Sequence, residues 1–137
     1  MAEKIEWRDS YNVNIAEIDM QHKKLVAIAN ELYDLTVGDP AVYPNNVSKI
    51  IKKLTDYTVY HFDHEENFFR RYGYAQADFH KMQHEQFIQQ INEQIRKLSQ
   101  PTQADGQRLY EYLVTWLLNH IAKSDKVWAA FVLPKLK

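Results

Sequence analysis

The 137-residue chain contains six histidines, and five of them fall where helical spacing calls for an apolar side chain. His22 lies on the stripe Ile18, His22, Leu25, Ala29, Leu32, and His61 and Glu65 on Val47, Ile50, Leu54, Thr58, His61, Glu65, Phe68. His80 and His84 open the stripe His80, His84, Phe87, Ile91, Ile95, Leu98, while His120 ends Leu109, Leu113, Trp116, Leu117, His120. Apolar residues three and four apart mark the inward face of a helix. An imidazole or carboxylate on that face is costly out of water unless it is hydrogen-bonded or ligated. The four-residue spacing of His61-x-x-x-Glu65 and His80-x-x-x-His84 places both members of each pair on one face, within reach of a common ion. Asp125 follows His120 by five residues, an offset that shares no face in an ideal helix. The chain must therefore distort or break near Lys123 if Asp125 is to turn inward; otherwise Asp125, after Ser124, caps a terminal helix. His64, beside Asp63 and Glu66, reads as a surface residue.

The elements that position these groups follow from the breakers. Gly38, Pro40 and Pro44, then Gly73, then Pro101 and Gly106, divide the chain into four long segments of helical periodicity, with linkers at 38–44, 73–75 and 100–104. Linkers this short force antiparallel neighbours. The expected fold is all-α: an up-down-up-down antiparallel four-helix bundle, with residues 1–16 as an N-terminal arm packed through Trp7, Tyr11, Val13 and Ile15, and a short C-terminal helix over 125–133 stopped before Pro134. In such a bundle the start of one helix lies level with the end of the next. His22 is early in the first helix, His61 and Glu65 late in the second, His80 and His84 early in the third, and His120 at the end of the fourth, so all converge at one end of one core.

Five imidazoles and two carboxylates are too many for one tetrahedral zinc or for one iron held by two histidines and a carboxylate. Two ions that share Glu65 and Asp125, three histidines on one and two on the other with a solvent-derived oxygen bridge, leave a single open position on the second ion. Nitrogen-rich ligation suits iron better than magnesium or calcium, although manganese, cobalt or zinc could also be accommodated. An open position on a redox-active pair fits a small diatomic ligand. The rival arrangement, the carboxylate-rich di-iron oxidase bundle, needs Glu-x-x-His on two helices, and no glutamate in this chain has a histidine three residues on.

Composition sets the outer limits. Lys+Arg 17 against Asp+Glu 18 gives a formal charge of -1, which supplies no excess of cations for a nucleic-acid partner. With no cysteine there is no disulfide, thiolate nucleophile or cysteine-ligated metal. The charged N-terminus does not read as a secretory signal and no stretch approaches a transmembrane span, so residues 1–137 read as one domain of a cytoplasmic, monomeric protein.

The order His22, His61-x-x-x-Glu65, His80-x-x-x-His84, His120-x-x-x-x-Asp125 resembles the seven-ligand pattern of the hemerythrins. Trp7, Tyr11 and the run from Ile18 to Leu25 are similar to the entry of the bacterial single-domain members, the bacteriohemerythrins. The resemblance implies two iron ions with an oxo or hydroxo bridge. It assigns His80, His84 and His120 to the six-coordinate iron, His22 and His61 to the iron with the vacancy, and Glu65 and Asp125 to both. It also implies reversible dioxygen binding for storage, transport or delivery, with no catalysed reaction, and an oxygen pocket walled by Phe62, Trp116, Leu117 and Ile121. The alternatives are an oxygen or redox sensor and an oxidase or peroxidase at the same metals. An oxygen-consuming enzyme would be the recipient. Asp19, Glu31, Tyr57, Tyr60 and Glu111 are the candidates to receive the second ring proton of the ligand histidines.

Overall fold

A computed structural model describes residues 4–97 and 102–136, and the helices named here are those of the described residues. Leu98, Pro101 and the side chain of Ile95 lie outside what is described. Helices α1 (Ala16–Val37), α2 (Tyr43–Tyr72), α3 (Ala77–Lys97) and α4 (Gln103–His120) form the antiparallel bundle, α1 packing against both α2 and α4, and α2 against α3. A π-helical turn, Ile121–Asp125, leads without interruption into the short α5 (Lys126–Val132) and a closing 3-10 turn, Leu133–Leu136, so Pro134 ends the α-helix but not the coil of the chain.

Local chemistry explains the boundaries. Gly73 adopts the left-handed conformation (φ 67°, ψ 40°) that closes α2, with Arg70 and Arg71 in the last turn facing the negative end of the helix dipole. Thr102 caps α4 by accepting the Asp105 N–H at 3.2 Å. Pro44, expected in the linker, instead sits in the first turn of α2, where its missing N–H costs no intrahelical bond. The first linker therefore ends at Val42, and α2 reaches 30 residues.

The buried stripe of α2 is Val47, Ile51, Leu54, Thr58, His61, Glu65, Phe69; Ile50 and Phe68, expected on it, are half-buried. Both pairs offer an apolar residue at either position, so periodicity alone does not choose between them. Contacts do: the Phe69 ring meets His80 edge-on at 4.7 Å and Trp128 at 5.2 Å.

Two apolar clusters fill the interior. The larger runs along the bundle through Leu25, Leu32, Tyr43, Val47, Phe87, Leu109, Leu113 and Ile121. The smaller joins Val13 and Ile15 of the arm and Ile18 of α1 to Phe69 of α2 and to Trp128 and Val132 of α5. The arm is tied down at Ile5, whose N–H donates to the Tyr110 hydroxyl (2.9 Å) while Asn30 donates to its carbonyl (2.8 Å). It turns at Asn14, held at φ 68°, where the Asp19 carboxylate accepts the N–H groups of Val13 (2.7 Å) and Asn14 (3.1 Å). Asp19 is thus occupied with the arm and does not reach His22.

Gly106 lies inside α4 and is buried against α1 and α2: a Cβ there would collide with the Tyr43 hydroxyl and the Thr36 methyl. Tyr43 is a rigid ring, 1% exposed, and has no room to retreat. Gly106→Ala should therefore lower thermal stability, overpacking of about 1–3 kcal/mol outweighing the roughly 1 kcal/mol gain in helix propensity. Thermal unfolding of the two proteins checks the sign, since a raised midpoint would mean that the helices part without cost.

Candidate metal centre

The seven predicted side chains meet. His22, His61, Glu65, His80, His84, His120 and Asp125 are 0% to 6% exposed and lie between the two apolar clusters, at the end of the bundle that the arm and α5 close. Two groups form, Glu65, His80, His84, His120 and Asp125 on one side, and His22, His61, Glu65 and Asp125 on the other, with the ligating atoms of each group all within 4.8 Å of one another. Asp125 reaches its place through the π-helical turn. An extra residue in that turn rotates the chain so that the five-residue offset from His120 falls on the inner face. The chain distorts where the offset required it and does not break.

The carboxylates divide their oxygens between the two groups. Glu65 Oε1 stands 3.1 Å from His84 Nε2, and Oε2 stands 3.1 Å from His61 Nε2 and 3.3 Å from His22 Nε2. Asp125 Oδ1 lies 3.0 Å from His80 Nε2 and 3.2 Å from His120 Nε2, while Oδ2 lies 3.1 Å from His22 Nε2.

Hydrogen bonds leave part of this arrangement unanswered. His120 Nε2 is 2.9 Å from His80 Nε2 and 3.1 Å from His84 Nε2, and a proton on one nitrogen serves only one such pair at a time. Glu65 Oε1 is buried and accepts no properly directed hydrogen bond despite its short distance to His84. A cation at the focus of these lone pairs answers all of them at once. Ligand nitrogens in adjacent octahedral positions, at about 2.1 Å from an ion, stand about 3.0 Å apart, against about 3.4 Å in a tetrahedron. The two histidine pairs at 2.9 and 3.1 Å lie near the octahedral value, and the donor set of imidazoles and carboxylates suits a transition metal better than calcium or magnesium.

Without an ion, protons take that role. Burial pushes the His22 and His80 imidazoles down, but hydrogen bonds and charge from Asp125 and Glu65 outweigh it and raise both to about 9. His84 is raised for the same reason by Glu65 and Glu66, whereas burial dominates at His61 and lowers it. Burial alone would raise Glu65 and Asp125, yet the surrounding histidines hold both well below the usual carboxylate range.

The polar groups that contact the clustered side chains are none of those expected. His61 Nδ1–H donates to Gln21 Oε1 at 2.7 Å, which turns Nε2 toward Glu65. Gln21 is 5% exposed and stands three residues after Ile18 and four before Leu25, so its place on the buried stripe could have been read from spacing. Trp128 Nε1–H donates to Asp125 Oδ1 at 3.1 Å. Glu66 Oε2 lies 3.5 Å from His84 Nδ1. Of the expected partners, Glu31 pairs with Lys53 (3.0 Å), Tyr57 and Tyr60 lie against each other along a groove of lysines, and Glu111 lines a groove between α3 and α4. His64 donates to Glu17 at 2.9 Å at the surface, outside the cluster.

Phe62, Leu117 and Ile121 are buried beside the cluster, and Trp116 is half-buried. Phe62 stacks face to face on His84 (centroids 3.7 Å, 1°) and lies 5.9 Å from His61, so it touches both groups; Trp116 stacks on His120 (4.4 Å, 14°).

The family model described as the hemerythrin HHE cation binding domain matches residues 13–132. The chain is 36% identical over 119 residues to a bacteriohemerythrin of Pseudomonas aeruginosa, covering 87% of this chain and 75% of that protein. It is 30% identical over 122 residues to a bacteriohemerythrin of Clostridium acetobutylicum, covering 88% and 95%. A crystal structure of wild-type hemerythrin superposes with a TM-score of 0.78 at 26% identity, over 93% of this chain and 97% of that one.

Two outcomes follow from the site as built. Gln21→Ala should weaken metal affinity roughly 10- to 100-fold by freeing the His61 ring, measured by competition with a chelator. For the metal-free protein, His22 and His80 rise from 6.5 to about 9 on folding. Their contribution to stability is thus complete below pH 6.5 and lost as pH climbs through 9. The metal-free melting temperature should fall across that window, and the metal-loaded protein, whose ions replace those protons, should not show the fall.

Proposed function

The chain belongs to the hemerythrin family, and from that premise we propose that it binds dioxygen reversibly at a pair of irons. The observation that carries the reading is the splitting of each carboxylate, one oxygen toward the three-histidine group and the other toward the two-histidine group. A residue oriented in this way would join two ions, and Glu65 and Asp125 are the residues that would do so. His80, His84 and His120 would hold one ion and His22 and His61 the other, so the second would have fewer protein ligands. Held there, an iron pair would supply reversible one-electron chemistry to dioxygen.

The protein's part is to hold, aim and keep dry. Gln21 fixes the His61 ring, and Trp128 fixes Asp125 through its indole N–H. Phe62, Leu117 and Ile121, with Trp116 on the His120 side, form the apolar wall of the oxygen pocket, which excludes the water and protons that turn reversible binding into permanent oxidation. The arm closes the opposite side through Val13 and Ile15. Among the described residues, the non-ligand side chains in polar or stacking contact with the cluster are Gln21, Glu66, Phe62, Phe69, Trp116 and Trp128. Only Glu66 among these is an acid or base, and it faces the far nitrogen of His84. That supports a carrier over an oxidase or peroxidase, which needs a group to move protons at the reacting ligand. No helix of the described residues is long and apolar enough to cross a membrane. The reading is a monomeric cytoplasmic store or carrier that gives oxygen up to an oxygen-consuming enzyme.

Ferrous iron loaded without air should bind at two ions per chain, colour on admitting oxygen and lose the colour when oxygen is removed. One-way conversion to the ferric form would point to an oxidase instead. His120→Ala and Glu65→Ala should each abolish the coupled pair, read by metal analysis and by the visible spectrum, while His64→Ala keeps full iron content.

A further inference from the structure

The two halves of the cluster differ in what approaches them from outside. His22 and His61 are sealed, 0% and 1% exposed, whereas a groove of about 690 Å³ between α3 and α4 leads down to Trp116 and to His120, which is 6% exposed. Gln83, Gln86, Thr115, Asn119 and Ser124 line it with neutral donors and acceptors, and Tyr112 adds an aromatic edge. Its charged groups nearly cancel: Arg108 is paired with Asp105, leaving Lys123 against Glu111.

On the reading above, the groove leads to the side where three histidines, the two shared carboxylates and the solvent-derived bridge would fill an ion's six positions. A filled ion admits no new ligand, so the groove is no route for oxygen exchange. Electrons, however, pass through ligand rings, and their transfer weakens steeply with distance. Trp116 shortens that distance. One face lies on His120 (4.4 Å, 14°) and the other on Phe87 (3.9 Å, 17°), so the indole is rigidly clamped and only its edge turns to the groove. An iron carrier that now and then oxidises for good needs a way back to the ferrous state.

We propose that the α3–α4 groove is the electron-entry port of the metal site, where a small neutral planar donor of the hydroquinone class docks at the edge of Trp116 and reduces the irons through His120. This inference rests on the proposed iron pair. The groove's volume falls within the range of small-molecule sites, and its open mouth admits a flat ring to the edge of Trp116. Its uncharged hydrogen-bonding groups match two ring hydroxyls and give no reward to an anion. In the step, the hydroquinone loses two electrons and two protons: both O–H bonds break and the quinone forms. Each of two ferric ions gains one electron, and the protons pass to water in the groove.

The probe is 1,4-naphthohydroquinone with its quinone, which meets no thiol in this cysteine-free chain. In the zinc-loaded protein, which has no redox chemistry, naphthoquinone should quench indole fluorescence saturably and shift the amide signals of Thr115, Asn119 and Lys123. Asn119→Trp, which fills the groove, should abolish both effects. In the ferric protein the reduction rate should saturate with donor concentration and fall by more than an order of magnitude in Asn119→Trp. Dithionite, too small to need the groove, should reduce that variant as fast as the parent. Trp116→Leu should slow reduction by naphthohydroquinone to a similar degree and Trp116→Phe should restore most of the rate. A rate linear in donor and indifferent to Asn119→Trp overturns the port, and a Trp116→Leu protein reduced as fast as the parent overturns the role of the indole. A parent protein that takes up no oxygen reversibly overturns the underlying function instead, and the zinc-loaded titration, which needs no iron, tells the two failures apart.

Discussion

Five imidazoles and two carboxylates buried at one level of a helical bundle are the constraint from which the rest of this structure follows. Taken from water singly, each would cost several kcal/mol. Together they are tolerable only if something positive stands among them, since Glu65 and Asp125 are both completely enclosed. In the metal-free chain that positive charge is carried by protons on His22 and His80; with ions bound it is carried by metal. The same side chains therefore decide both the folding and the chemistry, and any change at the centre is felt as a change in stability.

The bundle supplies the level and the π-helical turn supplies the seventh ligand. A regular helix would carry Asp125 off the inner face, away from His120. The wider winding at Ile121–Asp125 corrects the rotation without ending the chain's helical path, so α5 continues and delivers Trp128 onto the carboxylate that the turn has just placed. The arm completes the enclosure from the other direction. Val13 and Ile15 join Phe69, Trp128 and Val132 in a separate apolar cap, and Asp19, one turn before the first ligand His22, spends its charge on holding the arm's turn. Ligands, ligand-aiming groups and cap are thus interleaved along the same short stretches of sequence.

That interleaving explains what could and could not be read beforehand. The convergence of the five histidines and Glu65 was legible because each is a polar residue on an apolar stripe, and because an antiparallel bundle sends the marked ends of its helices to one place. The five-residue offset even announced a distortion before any geometry was seen. The register of α2 was less legible: Ile50 and Ile51, and Phe68 and Phe69, offer equal hydrophobicity at adjacent positions, and only the contact of Phe69 with His80 settles the second choice. Pro44 and Gly106 misled as breakers because each sits in a helix for a positional reason, an orphan N–H in one case and the close approach of Tyr43 in the other. The partners of the ligand rings were largely illegible. Gln21 and Trp128 act through hydrogen bonds whose direction depends on side-chain rotation, which spacing does not encode.

The two halves of the cluster differ in their surroundings. Around His22 and His61 the chain is closed, with Gln21 as the polar contact of one ring and the second ring nitrogen of His22 left without a partner. Around His80, His84 and His120 it is stacked: Phe62 lies flat on one ligand and Trp116 on another, and each stack leads outward to a groove on either side of α3. Stacked aromatic rings keep water off a ligand while still connecting it to the surface electronically. A dry, closed half suits a molecule that must come and go unchanged. On the proposed function a stacked half that opens toward solvent would serve the exchange of electrons, and the carboxylates of Glu65 and Asp125, turned toward both groups, would join the two.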